Sequence, residues 1–138
     1  MPQKWISHSE DETAKIAVEM IGIIQTPCVL CLEGDLGAGK TAFSRAFIRH
    51  VVGNDDEVVP SPTYTFVQTY DDDLIWHFDL YRMENPNQLY DIGWEEALSA
   101  DYCLIEWPSR LGALKPKNSV DILIEALPDG SRRFSLSL

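Results

Sequence analysis

The residues with the clearest capacity for chemistry form one glycine-rich segment, Gly34-Asp35-Leu36-Gly37-Ala38-Gly39-Lys40-Thr41. Its spacing matches the pattern G-x-x-x-x-G-K-[ST], in which glycines let the backbone curl so that successive N–H groups point at phosphate oxygens. Lys40 would place its ammonium on the β- and γ-phosphates, and the hydroxyl of Thr41 would ligate the Mg²⁺ that bridges them. The segment therefore predicts a site for a nucleoside triphosphate with Mg²⁺.

Two carboxylates could complete this site, because ligands gather at the carboxyl ends of buried strands in open α/β sheets. Asp79 follows the apolar run 74–78, and Glu106 follows the run 102–105. Either one could reach the metal directly or through water, and the sequence does not rank them. Each taken alone could equally be a solvated residue or a helix cap. We predict both as catalytic residues and metal ligands, beside Lys40 as a catalytic residue and Thr41 as a metal ligand.

A hydroxyl-bearing loop, Ser61-Pro62-Thr63-Tyr64, lies between the glycine-rich segment and the first of these carboxylates. P-loop proteins keep a segment that senses the γ-phosphate at this position in the chain. A simple proline turn is the alternative. The sequence leaves both interpretations open.

Hydrophobic spacing indicates the elements that position these residues. Ser9 and Glu12 form a capping box before an amphipathic helix that extends toward Pro27. The apolar run 29–32 predicts a buried strand that leads into the glycine-rich segment. We also expect a helix over 41–52 and helical turns around 87–90 and 94–98. The runs 64–70 and 74–78 predict an antiparallel hairpin, and further strands are expected over 102–105, 120–127 and 132–138.

This order of elements predicts an α/β fold. We expect a single P-loop NTPase-like domain over residues 1–138, with a mixed, largely parallel central sheet flanked by helices and a β-hairpin. The cysteines at 28, 31 and 103 are odd in number and lie in apolar runs, which favours free, buried thiols. His77 lies inside an apolar strand, which favours a hydrogen-bonded core histidine over a metal ligand.

The composition and charge of the chain limit which partners it can bind and indicate where in the cell it acts. The net charge of −11 excludes a broad surface for gripping a nucleic acid backbone. The apolar runs are far shorter than the roughly 18 residues of a membrane span, and the N-terminus lacks the pattern of a secretory signal. We therefore expect a cytoplasmic protein without a membrane segment.

Four motifs in order, GDLGAGKT at 34–41, SPTYT at 61–65, HFDLYR at 77–82 and IEWP at 105–108, resemble one bacterial family. The chain is identified by them as similar to the TsaE (YjeE) ATPases of tRNA threonylcarbamoyladenosine biosynthesis. The resemblance implies an ATP- and Mg²⁺-dependent ATPase of low intrinsic activity. It also implies nucleotide-dependent association with the TsaB and TsaD proteins, with tRNA reached only through that complex.

The resemblance also implies roles for individual residues. Glu106 would be the second magnesium ligand after Thr41, and Asp79 would be the Walker B-like carboxylate needed for hydrolysis. Thr13 in the first helix and Arg132 near the last strand would flank the nucleotide. Residues 34–42, from Gly34 to Ala42, would contact it as well. Trp107 and Tyr81 would form surface near it.

Other functions use the same loop. A small-molecule kinase would transfer the γ-phosphoryl group to a bound acceptor, but it usually carries a mobile lid with clustered arginines, and no such segment is present. A GTPase switch is disfavoured because the Asn-Lys-x-Asp signature that recognises guanine is absent. A binding module would differ from an ATPase only in failing to turn the nucleotide over.

Overall fold

A computed structural model describes residues 2–138, whose seven strands form one sheet in the order β1-β7-β6-β2-β5-β4-β3. Within this range, no helix has the length and apolar character needed to cross a bilayer. The strands are β1 (Gln3–Ser7), β2 (Cys28–Glu33), β3 (Val67–Tyr70), β4 (Ile75–Asp79), β5 (Tyr102–Glu106), β6 (Val120–Ala126) and β7 (Arg132–Ser137). The helices are α1 (Glu10–Ile23), α2 (Lys40–Val52) and α3 (Trp94–Leu98), with 3-10 helices at Pro86–Ile92 and Pro108–Leu114.

The centre of the sheet is parallel and its edges are antiparallel. Strand β2 pairs in parallel with β5 and β6, and β5 pairs in parallel with β4. The β3–β4 hairpin closes one edge, and β6, β7 and β1 form an antiparallel set at the other. The predicted mixed α/β sheet with a hairpin is confirmed, and the carboxyl ends of β2, β4 and β5 meet at one edge.

Strand alternation divides the core into two layers. On β2, Cys28 and Leu30 pack with α1 and α2, whereas Val29 and Cys31 pack on the opposite face with α3 and the 3-10 helices. All three cysteines are free and buried, as predicted, and burial raises the pKa of the Cys28 and Cys31 thiols to about 11. Because residues three apart on a strand face opposite sides, β2 does not bring the thiols of Cys28 and Cys31 together.

One half of the predicted capping box, the N-cap at Ser9, is present at the start of α1. The Oγ of Ser9 accepts a hydrogen bond from the Glu12 N–H at 3.1 Å. The Glu12 carboxylate reaches back to the N–H of His8 at 2.8 Å, one residue before the position that the standard box uses. Helix α2 ends at Val52 and is capped by Gly53, whose φ of 78° is a conformation that glycine adopts without a side-chain penalty.

The structure differs from the predicted elements at three places. The strand predicted over 64–70 begins only at Val67, because the Phe66 N–H donates to the Pro62 carbonyl at 2.8 Å and closes a turn with φ of 69° at Phe66. Strand β1 was not expected: its residues are mainly polar, and it pairs only with β7 at the sheet edge. The 3-10 helix Pro108–Leu114 is also absent from the prediction, and Gly112 within it has the non-helical φ of 54° and ψ of −126°.

Candidate functional site

The glycine-rich loop connects a central strand to a helix, as its motif requires. Strand β2 ends at Glu33 and α2 begins at Lys40, so the loop lies at the carboxyl edge of the parallel strands. Gly37 and Gly39 have φ of 82° and 110°, in the region where a side chain is strained. Gly34 is needed for a different reason, because a Cβ there would lie 2.6 Å from the carbonyl oxygen of Ile124 on β6.

Lys40 is held by the loop that precedes it. Its Nζ donates hydrogen bonds to the carbonyl oxygens of Gly34 and Asp35, the second at 3.0 Å, and lies 4.0 Å from the centre of the Trp107 ring. Burial lowers the pKa of Lys40, and the negative charges of Glu106, Asp79 and Asp35 oppose that shift. Lys40 is only 4% exposed as a residue, so little of it faces bulk solvent.

Glu106 joins three elements at the end of β5. The hydroxyl of Thr41, on the first turn of α2, donates to its Oε1 at 3.2 Å. Its Oε2 lies 2.6 Å from Nε2 of His77 on β4. The carboxylate is 2% exposed and the imidazole is fully buried. The predicted core histidine is therefore confirmed as hydrogen-bonded, and its partner is one of the two predicted carboxylates.

Asp79 is bound to the hydroxyl-bearing loop rather than to the glycine-rich one. Its Oδ2 accepts hydrogen bonds from Ser61 Oγ at 3.0 Å and Thr63 Oγ1 at 3.2 Å. Its Oδ1 accepts from the N–H of Tyr81 at 3.0 Å. The 61–63 loop is thus attached to a strand end beside Glu106, with which Asp79 is paired in register.

Most of the predicted site residues line one cavity of about 340 Å³. Its walls come from the glycine-rich loop, the start of α2, the 61–63 loop and the ends of β4 and β5. The lining residues are Leu36, Gly37, Gly39, Lys40, Thr41, Ala42, Ser61, Thr63, Asp79, Tyr81, Glu106 and Trp107. Gly34, Asp35 and Ala38 instead line an adjoining cavity of about 590 Å³ on the β6 side of the loop, which shares Leu36, Gly37 and Trp107 with the first.

Thr13 and Arg132 lie beside a third cavity, of about 240 Å³, which shares Gly39 and Ala42 with the first. Arg132 braces the loop by donating from Nε to the Ala38 carbonyl at 2.6 Å and from Nη2 to the Gly37 carbonyl at 3.1 Å. The Thr13 hydroxyl lies 2.7 Å from that of Ser7 and is buried. The two residues therefore flank the far side of the α2 N-terminus.

The oxygen atoms at the centre of the site fit a magnesium ion. Thr41 Oγ1 and Glu106 Oε1 are 3.2 Å apart. Two neighbouring ligands of an octahedral Mg²⁺, each at about 2.1 Å, are about 3.0 Å apart. A hydroxyl and a carboxylate are also the hard oxygen donors that this ion prefers. The described side chains could therefore accept Mg²⁺ between them with little rearrangement.

Sequence reasoning missed three contacts in the site. They are the His77–Glu106 contact, the Trp107 ring against Lys40, and the Arg132 hydrogen bonds to loop carbonyls. Only the first had a usable signal, since strand alternation puts His77 on the same face of β4 as Asp79. The other two join residues far apart in the chain and depend on which strand ends lie beside the loop in the folded sheet.

Fold and site together define an α/β protein whose glycine-rich loop, of the pattern G-x-x-x-x-G-K-[ST], lies between a central parallel strand and a helix. The family model "Threonylcarbamoyl adenosine biosynthesis protein TsaE" matches residues 7–134. The chain belongs to the TsaE family, and its role lies in tRNA threonylcarbamoyladenosine biosynthesis.

Individual relatives agree with this membership. The tRNA threonylcarbamoyladenosine biosynthesis protein TsaE of Rickettsia felis is 36% identical over 133 residues, which cover 95% of this chain and 77% of that protein. The protein of the same name from Bacillus subtilis is 33% identical, over 97% of this chain and 84% of its own length. The crystal structure of Bacillus subtilis YdiB superposes with a TM-score of 0.76 at 28% identity, covering 99% of this chain and 84% of that one.

Proposed function

We propose that the chain is an Mg²⁺-dependent ATPase of tRNA threonylcarbamoyladenosine modification, which acts through nucleotide-dependent association with the TsaB–TsaD pair. The observation that carries this proposal is the convergence of Lys40, Thr41 and Glu106 on one cavity at the carboxyl edge of the sheet. These residue types at this place are what binding and cleaving a magnesium-bound triphosphate requires.

The chain's own residues supply the binding chemistry. The loop N–H groups and the α2 N-terminus provide positive potential for the phosphates. Lys40 already carries its ammonium into the cavity, and it would exchange loop carbonyls for phosphate oxygens when the nucleotide binds. Thr41 and Glu106 would hold Mg²⁺, which neutralises charge developing on the phosphates.

Asp79 would couple the nucleotide to the surface of the protein. Its carboxylate fixes the Ser61 and Thr63 hydroxyls, which line the same cavity as Lys40. A change at the γ-phosphate position would therefore displace the 61–63 loop. The next residue, Tyr64, is 80% exposed. This supports Asp79 as the residue needed for hydrolysis and the loop as the part that reports it.

The charge of the chain supports protein partners over direct tRNA contact. A net charge of −11 repels a phosphate backbone, so tRNA would be reached through the TsaB–TsaD complex. The free, buried thiols accord with a reducing compartment, and we place the protein in the cytoplasm.

The experiment compares Lys40→Ala, Asp79→Ala and Glu106→Ala with the wild type, and uses the exposed Lys117→Ala as a matched control. We expect Lys40→Ala to abolish ATP binding or turnover. Asp79→Ala and Glu106→Ala should lower hydrolysis at least about 10-fold while unfolding remains cooperative. Unchanged hydrolysis in all three variants would refute the site.

The partner proposal is tested by mixing the protein with TsaB and TsaD and measuring complex formation by analytical ultracentrifugation. We expect a complex with Mg-ATP and much less without nucleotide. A screen of small-molecule acceptors runs beside it. A phosphorylated acceptor without complex formation would favour a kinase and overturn the proposal.

A further inference from the structure

The buried His77 is outside the cavity but touches the carboxylate at its centre. Glu106 presents one oxygen to Thr41 and the other to His77, at 3.2 Å and 2.6 Å respectively. The three side chains belong to α2, β5 and β4. His77 does not line the 340 Å³ cavity, so it can act there only through Glu106.

When Glu106 is ionised, its contact with Nε2 of His77 requires a proton on that nitrogen. An ionised carboxylate only accepts hydrogen bonds, so Nε2 must donate to Glu106. The other nitrogen, Nδ1, is buried without a hydrogen-bond partner among the described residues. A neutral imidazole that satisfies the carboxylate therefore has its hydrogen on Nε2 and a lone pair at Nδ1.

This contact has two physical consequences for Glu106. A carboxylate that is 2% exposed needs compensating donors, and His77 supplies one from the side opposite Thr41. With Oε2 engaged, the carboxylate plane is fixed and Oε1 is directed to the Thr41 hydroxyl. Outer partners that orient a metal ligand in this way typically contribute about 10- to 100-fold to metal affinity.

We infer that His77 is a positioning residue, which orients Glu106 so that its Oε1 and the Thr41 hydroxyl can hold Mg²⁺ together. This inference rests on the proposed Mg-nucleotide site. It adds a residue that acts through the magnesium ligand and touches neither the nucleotide nor the ion.

The test measures ADP affinity by calorimetry, once with Mg²⁺ and once with EDTA, for the wild type and three variants. His77→Leu removes the donor and keeps an apolar volume, and we expect it to reduce the gain in affinity due to Mg²⁺ by about 10- to 100-fold with little change in EDTA. His77→Gln, whose amide can donate near the Nε2 position, should recover most of that gain. His50→Leu, at an exposed position on α2, is the matched control and should match the wild type.

Imidazole ¹⁵N NMR on the wild type provides a second readout that needs no variant to fold. We expect the His77 ring to show hydrogen on Nε2. Hydrogen on Nδ1 alone, or a Mg²⁺ gain in His77→Leu equal to that of the wild type, overturns the inference. Equal losses with and without Mg²⁺ would also overturn it, because they indicate a role in folding only. Failure of the wild type to bind ADP at all would instead count against the proposed function.

Discussion

Replacing Gly34 with alanine tests whether nucleotide binding depends on the close approach of the glycine-rich loop to β6. A Cβ at this position would lie 2.6 Å from the Ile124 carbonyl oxygen and 3.2 Å from the Cβ of Ala38. Ordinary contact begins at 3.4 Å, so the first approach is 0.8 Å too short. The obstructing oxygen belongs to the backbone of a paired strand and cannot rotate away, so the loop itself must move.

The size of that movement sets the expected effect. Preorganised sites tolerate displacements of about 0.5 Å, and a misplacement of about 1 Å can cost about 100-fold. We therefore expect Gly34→Ala to weaken Mg-nucleotide binding by about 10- to 100-fold. Overpacking at the loop base should also lower the free energy of unfolding by about 1–3 kcal/mol.

Calorimetric titration with Mg-ADP gives the affinity, and urea unfolding without nucleotide gives the stability. Gly22→Ala on α1 is a control, because its Cβ meets nothing within 4 Å and alanine favours a helix over glycine by about 1 kcal/mol. Gly37→Ala is a comparison within the binding loop and not a neutral control: its Cβ would meet nothing within 4 Å, but its φ of +82° adds about 1–2 kcal/mol of strain. Wild-type affinity in Gly34→Ala, or an equal loss in Gly22→Ala, would contradict the reasoning.

Three further predictions concern the stability and reactivity of the fold. Gly93→Ala should lower the free energy of unfolding in urea by about 1–3 kcal/mol more than Gly53→Ala does. Both glycines have positive φ, but only a Cβ at position 93 would lie 2.6 Å from the Trp76 ring. Equal losses in the two variants would contradict this. Burial lowers the pKa of Lys40 in the folded protein below its ordinary 10.5. Between the folded pKa and 10.5 the unfolded chain therefore binds more protons than the folded protein does, and the free energy of unfolding rises with pH in that range. The difference in unfolding free energy between wild type and Lys40→Met should accordingly shift in favour of the wild type as the pH approaches 10.5, and a difference constant with pH would argue against a buried ammonium. The three cysteines are free and buried, so a thiol reagent at pH 8 should modify them only as fast as the chain unfolds; rapid labelling of the native protein would disagree with the packing.

The sequence was sufficient where the determining forces are local. The loop from Gly34 to Thr41 is specified by glycines at positions of positive φ or close approach, and the prediction of a phosphate site needs only these eight consecutive residues. The N-cap at Ser9 and the buried character of β2 depend on neighbouring residues in the same way. Short-range sterics and hydrogen bonding act within a few residues, so a single sequence records them.

Only the tertiary structure decided which distant groups meet. Glu106 contacts Thr41 across 65 positions of the chain and His77 across 29, and Arg132 reaches the Ala38 carbonyl across 94. Either predicted carboxylate satisfied the sequence pattern equally well. The sheet order, set by burying apolar side chains on both faces, places Glu106 beside α2 and leaves Asp79 to bind the 61–63 loop. That order is a property of the whole core, so no single segment of the sequence contains it.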